Sequence, residues 1–208
     1  MKTAHLLLAL LITMALLQAC KKEDTPPQTI ANVLINGDME VSPYTDWGSY
    51  LGKNSTVNPN KYVVDYSTEA ASSPVHSIKV SSDAVKNDTT YQYFQQVFKL
   101  TDRPIPAGSK LTLKVKIKTA NIQGNGVSIA MGGNQAITNA NGQITDVKST
   151  FYTSTEGTTS IKGTNDFQEY TLTWTSLPAT TTHLYVVLFY LPKTTGTVYY
   201  DDVRLSVN

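Results

Sequence analysis

The sequence predicts an all-β protein, an antiparallel β-sandwich of about ten strands. Thr, Val, Tyr, Gly and Asn, which are common in strands and turns, recur throughout the 208 residues. Short alternating runs are separated by turn residues along the chain. No segment repeats apolar residues at i, i+3, i+4 and i+7 over three turns, so helical crossovers between parallel strands are excluded.

The clearest predicted strand is residues 110–119. Its odd positions from Leu111 to Ile117 are apolar, whereas Thr112 and three lysines occupy the even positions, which face water. Residues 126–133 repeat the alternation. The other strand-like runs are 61–66, 76–82, 91–100, 148–154, 167–174, 183–191 and 197–207. The same pattern continues without an internal repeat, so we expect one domain over residues 32–208.

Two of these runs are apolar or aromatic on both faces. In 183–191, one row contains Leu184, Val186 and Leu188, and the opposite row contains Tyr185, Val187 and Phe189. In 91–97, the row opposite Phe94 contains Tyr91, Tyr93, Gln95 and Val97. Such strands are either covered on both faces, here by loops, or bind something on the outer face. Both readings remain open, whereas Trp174 and Tyr199 are in phase with core residues.

The first 19 residues predict a signal peptide. Lys2 precedes an apolar stretch from Leu6 to Leu17, which is too short to span a bilayer. The stretch ends in "LLQAC", which resembles a bacterial lipobox, and Cys20 is the only cysteine. We therefore expect Cys20 to carry a lipid that anchors the protein to a membrane; the alternative is an ordinary secretory signal with an incidental cysteine.

Residues 20–31 predict a flexible tether. Charged residues follow Cys20, and Pro26 and Pro27 favour an extended chain. The Lys-Glu-Asp cluster resembles the surface-export signal of Bacteroidetes lipoproteins, which implies an outer-membrane lipoprotein exposed at the cell surface. Without residues 1–19, the chain has as many basic as acidic residues. This balance gives no electrostatic reason to bind nucleic acid.

The sequence contains little that resembles an active site. After the signal peptide, only His76 and His183 remain, each alone, and no set of Cys or His has zinc-binding spacing. No nucleophile elbow or phosphate-binding glycine loop is present. Asp201 and Asp202 are neighbours on a predicted strand, so their side chains would diverge rather than converge on a glycosidic bond. We therefore expect no enzyme activity.

Asp201 is nevertheless unusual. On the predicted strand 197–207 it shares a face with Tyr199, Val203 and Leu205, so the pattern places its carboxylate inward. A buried carboxylate needs a positive partner, a proton or hydrogen-bond donors. We expect a calcium ion, because calcium binds hard oxygen ligands in irregular geometry. The alternative is that backbone amides of a neighbouring loop satisfy Asp201.

Five segments occur in an order that resembles the galactose-binding-like, jelly-roll carbohydrate-binding modules of families 4, 9 and 22. They are "LINGDMEVSPYTDW", "SSPVHSIKVSS", "YFQQVFKL" with "IPAGSKLTLKVKIKT", "FQEYTLTW" and "GTVYYDDVRLSV". The resemblance covers nearly all of residues 33–207. It implies a structural calcium held by Glu40 and Asp201 with main-chain oxygens near Asp38 and Lys79. Met39 departs from the pattern, where an aromatic residue is usual.

The resemblance implies a non-catalytic protein that binds a poly- or oligosaccharide, with possible partner proteins of a glycan-uptake system. Sugar rings stack on aromatic side chains, and amides and hydroxyls bind their hydroxyl groups. The chain has 12 Tyr against 5 Phe, which suits a wet binding surface. We expect the glycan to contact Tyr93, Gln95, Tyr185 and Phe189, with Trp47 and Tyr50 at the rim; Trp47 could instead plug one end of the sandwich.

Two other functions remain open. The same fold could be a structural or protein-interaction module, for which a flat apolar patch without polar neighbours would be typical. A jelly-roll enzyme acting on glycans is the less favoured alternative. Lyases of that architecture use a basic cleft, yet Arg103 is the only arginine between residues 33 and 200.

Overall fold

The computed structural model describes residues 29–49, 62–83 and 91–208. The described part contains a 3₁₀ turn at Pro43–Thr45 and nine strands: β1 (Gly48–Ser49), β2 (Val63–Ser67), β3 (Ser77–Ser82), β4 (Gln92–Lys99), β5 (Leu111–Thr138), β6 (Ile144–Ser154), β7 (Ile161–Trp174), β8 (His183–Tyr190) and β9 (Thr195–Val207). All strand pairs are antiparallel, which confirms the predicted fold class. The predicted signal peptide, Cys20 and Tyr50 lie outside the described residues.

Strand β5 joins the two layers of the sandwich. It contains both predicted strands 110–119 and 126–133, which the structure merges into one strand of 28 residues. Its first half, from Leu111 to Ala120, lies between β7 and β9. Its second half, from Val127 to Asn134, lies between β8 and β6. The sheet therefore curls at the bulges between these halves, where Asn121, Gly124 and Gly126 have positive φ angles.

One hydrophobic core fills the space between the layers. It takes Leu111, Leu113, Val115 and Ile117 from the first half of β5, as the alternation predicts, and Val127, Ile129 and Met131 from the second half. Strands β3 and β9 add core residues to the first layer, and β4 and β8 to the second. The lysines at even positions of β5 lie outside and form ion pairs with Glu169, Asp202 and Asp166.

The predicted phase of β9 is wrong at its centre. Tyr200 pairs with Ile117 and lies in the core, whereas Tyr199 and Asp201 lie on the outer face of the layer. Asp202, at φ +50°, sits in a β-bulge that inserts one extra residue and returns Val203 to the core phase. Tyr199 therefore lies on the outer face of the first layer, where neighbouring residues cover it and its hydroxyl donates a hydrogen bond to Glu69. The sequence analysis assumed that residues alternate between the two faces along the whole strand, and that assumption cannot reveal an inserted bulge residue.

Replacing Leu113 by Ala tests the packing of the core. Leu113 is completely buried, so truncation should leave a cavity and lower the free energy of unfolding by about 2–5 kcal/mol. Thr112→Ala, one residue away on the half-buried outer face, is the matched control and should cost about 1 kcal/mol or less. Urea unfolding measures both values. Equal losses for the two variants would contradict this assignment of faces.

Candidate functional site

Four of the residues predicted to contact a ligand lie together on the outer face of the second layer. Strands β4 and β8 pair so that Tyr93 faces Phe189 and Gln95 faces Val187. Tyr185 precedes Val187 by two residues on β8, so its side chain lies on the same side of the strand. Tyr93, Gln95, Tyr185 and Phe189 are each half-buried. The outer rows of these two strands are therefore partly accessible rather than fully covered.

The aromatic rings on this side form a cluster. Phe189 meets Tyr91 and Tyr93 edge-on, with ring centroids 5.5 and 5.9 Å apart. Tyr152 of β6 pairs with Gly132, which on its other side pairs with Tyr185. Tyr91 and Tyr152 are 38% and 49% exposed, so their rings are available to a partner. We call the surface formed by Tyr91, Tyr93, Tyr152, Tyr185 and Phe189 the aromatic face.

The floor of the aromatic face is made of small residues. Ser128, Ala130 and Gly132 alternate along β5 on this side, and all three are buried. A Cβ atom on Gly132 would overlap the ring and hydroxyl of Tyr185. Glycine therefore allows Tyr185 to lie across β5, and this contact fixes the ring in place.

Polar groups border the aromatic face. The Gln95 amide and the hydroxyls of Tyr152 and Tyr185 form no hydrogen bond to another described residue, so they can bind an external molecule. The Tyr91 hydroxyl donates to Glu156, 2.8 Å away. That hydrogen bond raises the pKa of Tyr91, and burial raises the pKa of Tyr185. Both hydroxyls are consequently neutral donors at physiological pH.

Sequence reasoning missed Tyr152 and Glu156, and it placed Tyr91 in the outer row of its strand without assigning it to the ligand. The run 148–154 predicts a strand, but both of its rows mix one aromatic residue with polar residues, so the pattern does not indicate which face carries Tyr152. Glu156 lies in the loop after β6, where its amide bonds to the Ser154 hydroxyl. The position of Glu156 depends on how this loop folds back onto the sheet, and the alternation of apolar residues along the strands carries no information about that.

The expectation that Trp47 contributes to the rim is wrong. Its side chain is only 2% exposed, and its indole N–H donates to the carbonyls of Ile35 and Asn36. Trp47 therefore belongs to the core at one end of the sandwich, which was the alternative reading. Met39, where the resembled modules carry an aromatic residue, is fully buried as well.

A cluster of oxygen atoms surrounds the hydroxyl of Ser73. The Ser73 Oγ lies 2.7 Å from the Asp38 carbonyl, 2.8 Å from Glu40 Oε1 and 3.2 Å from the His76 carbonyl. It also lies 2.9 and 3.1 Å from the two carboxylate oxygens of Asp201. A hydroxyl has one proton to donate, so it can satisfy only one of these acceptors.

Both carboxylates of this oxygen cluster also accept backbone hydrogen bonds. The amides of Ser72 and Ser73 donate to Asp201, as in the alternative reading of this residue. Burial raises the pKa of Asp201, although these amides oppose the rise. The Val75 amide lowers the pKa of Glu40 to about 2 against the opposing effect of burial, with help from the His76 amide and the Ser73 hydroxyl.

The predicted cation ligands are only partly brought together. Glu40, Asp201 and the Asp38 carbonyl meet at Ser73. The second main-chain oxygen of the cluster comes from His76, near Lys79 in sequence, whereas Lys79 itself pairs with Asp65 and Tyr199 within the sheet. Among the described residues, no group of three or more His, Cys, Asp or Glu side chains could hold a metal. A cation here would need carbonyl and hydroxyl oxygens beside the two carboxylates, which is a donor set that suits calcium.

No protein-family model and no curated protein matches the chain. Among solved structures, the enzymatically active domain of tailspike protein 4 from bacteriophage CBA120 aligns with a TM-score of 0.55 and 13% identity. That alignment covers 85% of this chain but only 21% of the tailspike chain.

Two carbohydrate-binding modules align over nearly their whole length. A family 4 module gives a TM-score of 0.52 at 17% identity, covering 84% of this chain and 99% of the module. A family 16 module gives 0.50 at 15% identity, with the same coverage of both chains. At these identities the likeness concerns the fold alone. The chain therefore has the antiparallel jelly-roll fold of these modules.

Gly132→Ala tests the contact that holds Tyr185 in place. The added methyl group should displace the ring toward solvent, because it would overlap Tyr185. Burial raises the pKa of Tyr185, so displacement should lower that pKa toward 10. NMR titration measures it, with Tyr185→Phe assigning the signal.

Gly48→Ala is the control for this measurement. A Cβ atom on Gly48 would meet the Gln95 side chain at 3.9 Å, which is an ordinary contact distance. The control should leave the titration of Tyr185 unchanged. An unchanged titration in Gly132→Ala, with the fold retained, would contradict the proposed role of Gly132.

Proposed function

We propose that the chain is a non-catalytic cell-surface protein, anchored through lipid on Cys20, that binds a poly- or oligosaccharide on the aromatic face. A calcium ion in the oxygen cluster would stabilise the fold. The observation that carries the proposal is the convergence of five aromatic side chains, from the β4 region, β6 and β8, over a floor of small residues.

The aromatic face suits a glycan because of its mixed chemistry. The C–H faces of a sugar ring can pack on Tyr and Phe rings, and the ring hydroxyls need hydrogen-bonding partners. Gln95, Tyr152 and Tyr185 present such groups beside the rings. Ser128, Ala130 and Gly132 are small and buried, so the Tyr and Phe rings lie over them and form the surface that a sugar would meet.

The fold supports the same proposal. The aligned family 4 and family 16 chains are carbohydrate-binding modules. The aligned tailspike domain is enzymatically active, but this chain spans about a fifth of that protein, so the likeness does not assign catalysis. We place no catalytic residue because the aromatic face presents one carboxylate, that of Glu156, rather than a converging pair.

The position of Arg103 also argues against a lyase that acts on acidic sugars. Its guanidinium donates to the Val33 carbonyl and to Gln96, and lies 4.8 Å from the centre of the Phe98 ring. These contacts place it in the core-facing part of the structure, away from the aromatic face. Arg103 is therefore not on the aromatic face and cannot bind a uronic acid there.

A protein-interaction module is the second candidate. Val97 is 50% exposed beside the aromatic face, and Ile144 and Val147 are 57% and 54% exposed on β6. An apolar partner could cover such residues. We favour the glycan because hydroxyl, amide and carboxylate groups border the rings, whereas protein-binding patches have a centre depleted in charge.

The oxygen cluster supports the calcium part of the proposal. Five oxygen atoms from four residues lie within 3.2 Å of one hydroxyl, which can donate a single proton. Burial disfavours the charge on Asp201, and a bound cation would offset that effect. Glu40, Asp201, Ser73 and the carbonyls of Asp38 and His76 would hold the ion. The calcium would tie β9 to the loop before β3.

The anchor gives the protein its proposed location. The predicted end of the tether at residue 31 is too late, because Ile30 already pairs with Val207 of the last strand. A lipid on Cys20 and the tether before Ile30 would hold the sandwich at the outer membrane, exposed at the cell surface. There it would retain glycan for partner proteins of an uptake system.

Substitution of the aromatic face tests the glycan proposal. The full chain is screened on plant, host and microbial glycan arrays beside Tyr185→Ala and Phe189→Ala. We expect binding to one glycan class, weakened in each variant by about 2 kcal/mol, or roughly thirtyfold, which is typical of a buried aromatic anchor.

Phe167→Ala is the matched control for this screen. Phe167 is also half-buried, but it lies on the first layer, 5.8 Å from the Lys118 ammonium. This variant should bind as the unmodified chain does. Equal binding by all three variants, with unchanged circular dichroism, would contradict the aromatic face as the site.

Calcium should raise the melting temperature of the chain. An ion that binds only the folded state adds about 2.7 kcal/mol at a free concentration 100 times its Kd, or about 5–10 °C for a chain of this size. Scanning calorimetry with calcium and with a chelator measures the shift. Glu40→Gln should abolish it, and Asp166→Asn, in a surface ion pair, should retain it. Identical melting in both buffers would argue against the ion.

A further inference from the structure

A polar cleft adjoins one end of the aromatic face. It has a volume of about 500 Å³, within the ~300–1,000 Å³ of small-molecule sites. Its lining includes Asn125, Glu156, Thr158, Thr159, Ser160 and Lys162. Glu156 is shared between the two surfaces, since it also accepts the hydrogen bond from Tyr91. A ligand on the aromatic face can therefore extend directly into the cleft.

The cleft is held to the same strand that forms the floor of the aromatic face. The loop 155–160 starts at Thr155, whose buried hydroxyl bonds to the Ile129 amide and the Ser128 hydroxyl. The Thr155 amide donates a hydrogen bond to the Ile129 carbonyl, and the Thr159 amide donates one to the Thr155 carbonyl. These contacts fix the loop, so the cleft is formed before a ligand arrives.

Several polar groups in the cleft have no protein partner among the described residues. They are the hydroxyls of Thr159 and Ser160, the ammonium of Lys162 and one carboxylate oxygen of Glu156. The Lys162 side chain lies beside Gly126, where a Cβ atom would come within 2.9 Å of its Cγ. The cleft thus presents two hydroxyls and one charge of each sign.

We propose that this cleft is a second subsite, which binds an uncharged sugar unit of the same glycan that lies on the aromatic face. A carboxylate accepts hydrogen bonds from sugar hydroxyls, and an ammonium donates to them. The opposite charges of Glu156 and Lys162 give the cleft no net preference for a charged ligand. Where the cleft meets the aromatic face, the Glu156 carboxylate would repel the carboxylate of a uronic acid. The inference rests on the proposed function and adds the class of sugar and the extent of the site.

Chain length separates the two subsites experimentally. Calorimetric titration of the full chain uses tri- and hexasaccharides of β-1,4-linked glucose, xylose and galactose, with hexagalacturonate as the acidic probe. We expect a neutral hexasaccharide to bind more tightly than its trisaccharide. The double variant Thr159→Val/Ser160→Ala should lose about tenfold in affinity for the hexasaccharide alone, since two hydrogen bonds are removed.

Two controls isolate the cleft. Thr173→Val changes an exposed threonine on β7, in the other layer, and should bind as the unmodified chain does. Glu156→Gln should also weaken hexasaccharide binding, and Tyr91→Phe removes the Tyr91–Glu156 bond while it keeps the ring. A loss in Glu156→Gln that Tyr91→Phe fully reproduces would assign the effect to the aromatic face and overturn the role of Glu156 in the cleft.

The outcomes distinguish the subsite from the proposed function. Hexasaccharide binding that Tyr185→Ala abolishes but the double cleft variant leaves unchanged would overturn the subsite and retain the aromatic face. Tighter binding of hexagalacturonate would overturn the uncharged class of sugar. Binding of no probe, neutral or acidic, would contradict both.

Discussion

The hydrogen bonding of β5 into both layers is the constraint on which the rest of the structure depends. Its first half pairs with β7 and β9, and its second half pairs with β8 and β6. The two halves send apolar side chains into one core, so their remaining side chains must point out of the sandwich. In the first half those are lysines, and in the second half they are Ser128, Ala130 and Gly132. The two outer surfaces therefore differ: one is charged, and the other supports a cluster of aromatic rings.

The bulge at Asp202 has a comparable consequence in the first layer. It turns Asp201 to the outer face, under the loop that carries Ser72 and Ser73. Glu40 approaches the same loop from the turn that follows Asn36. Three segments far apart in sequence thus meet around one hydroxyl, and the oxygen cluster couples the N-terminal turn to the last strand. A cation there would act on the stability of the fold, at a place separate from the aromatic face.

The sequence predicted the features that depend on local periodicity. The alternation in 110–119 places Leu111 to Ile117 in the core, and the doubly apolar rows of β4 and β8 contain Tyr93, Gln95, Tyr185 and Phe189 on one outer face. It failed where periodicity is interrupted or uninformative. The bulge at Asp202 places Tyr199 and Asp201 on the opposite face from the one that the alternation predicts. The Trp47 indole is buried because its N–H reaches the carbonyls of Ile35 and Asn36, more than ten residues away in sequence. Tyr152, Glu156 and Ser73 join their sites through long-range pairing and loop geometry, for which single residues in polar segments carry no signal.

NMR titration of labelled tyrosine rings is the most direct test of whether a glycan contacts the tyrosines of the aromatic face. The full chain is titrated with the glycan that binds most strongly on the array. We expect the ring signals of Tyr91, Tyr93, Tyr152 and Tyr185 to shift together, whereas those of Tyr170 and Tyr199, in the other layer, stay in place. Shifts confined to Tyr170 and Tyr199, or to neither set, would contradict it and place the binding site elsewhere on the chain.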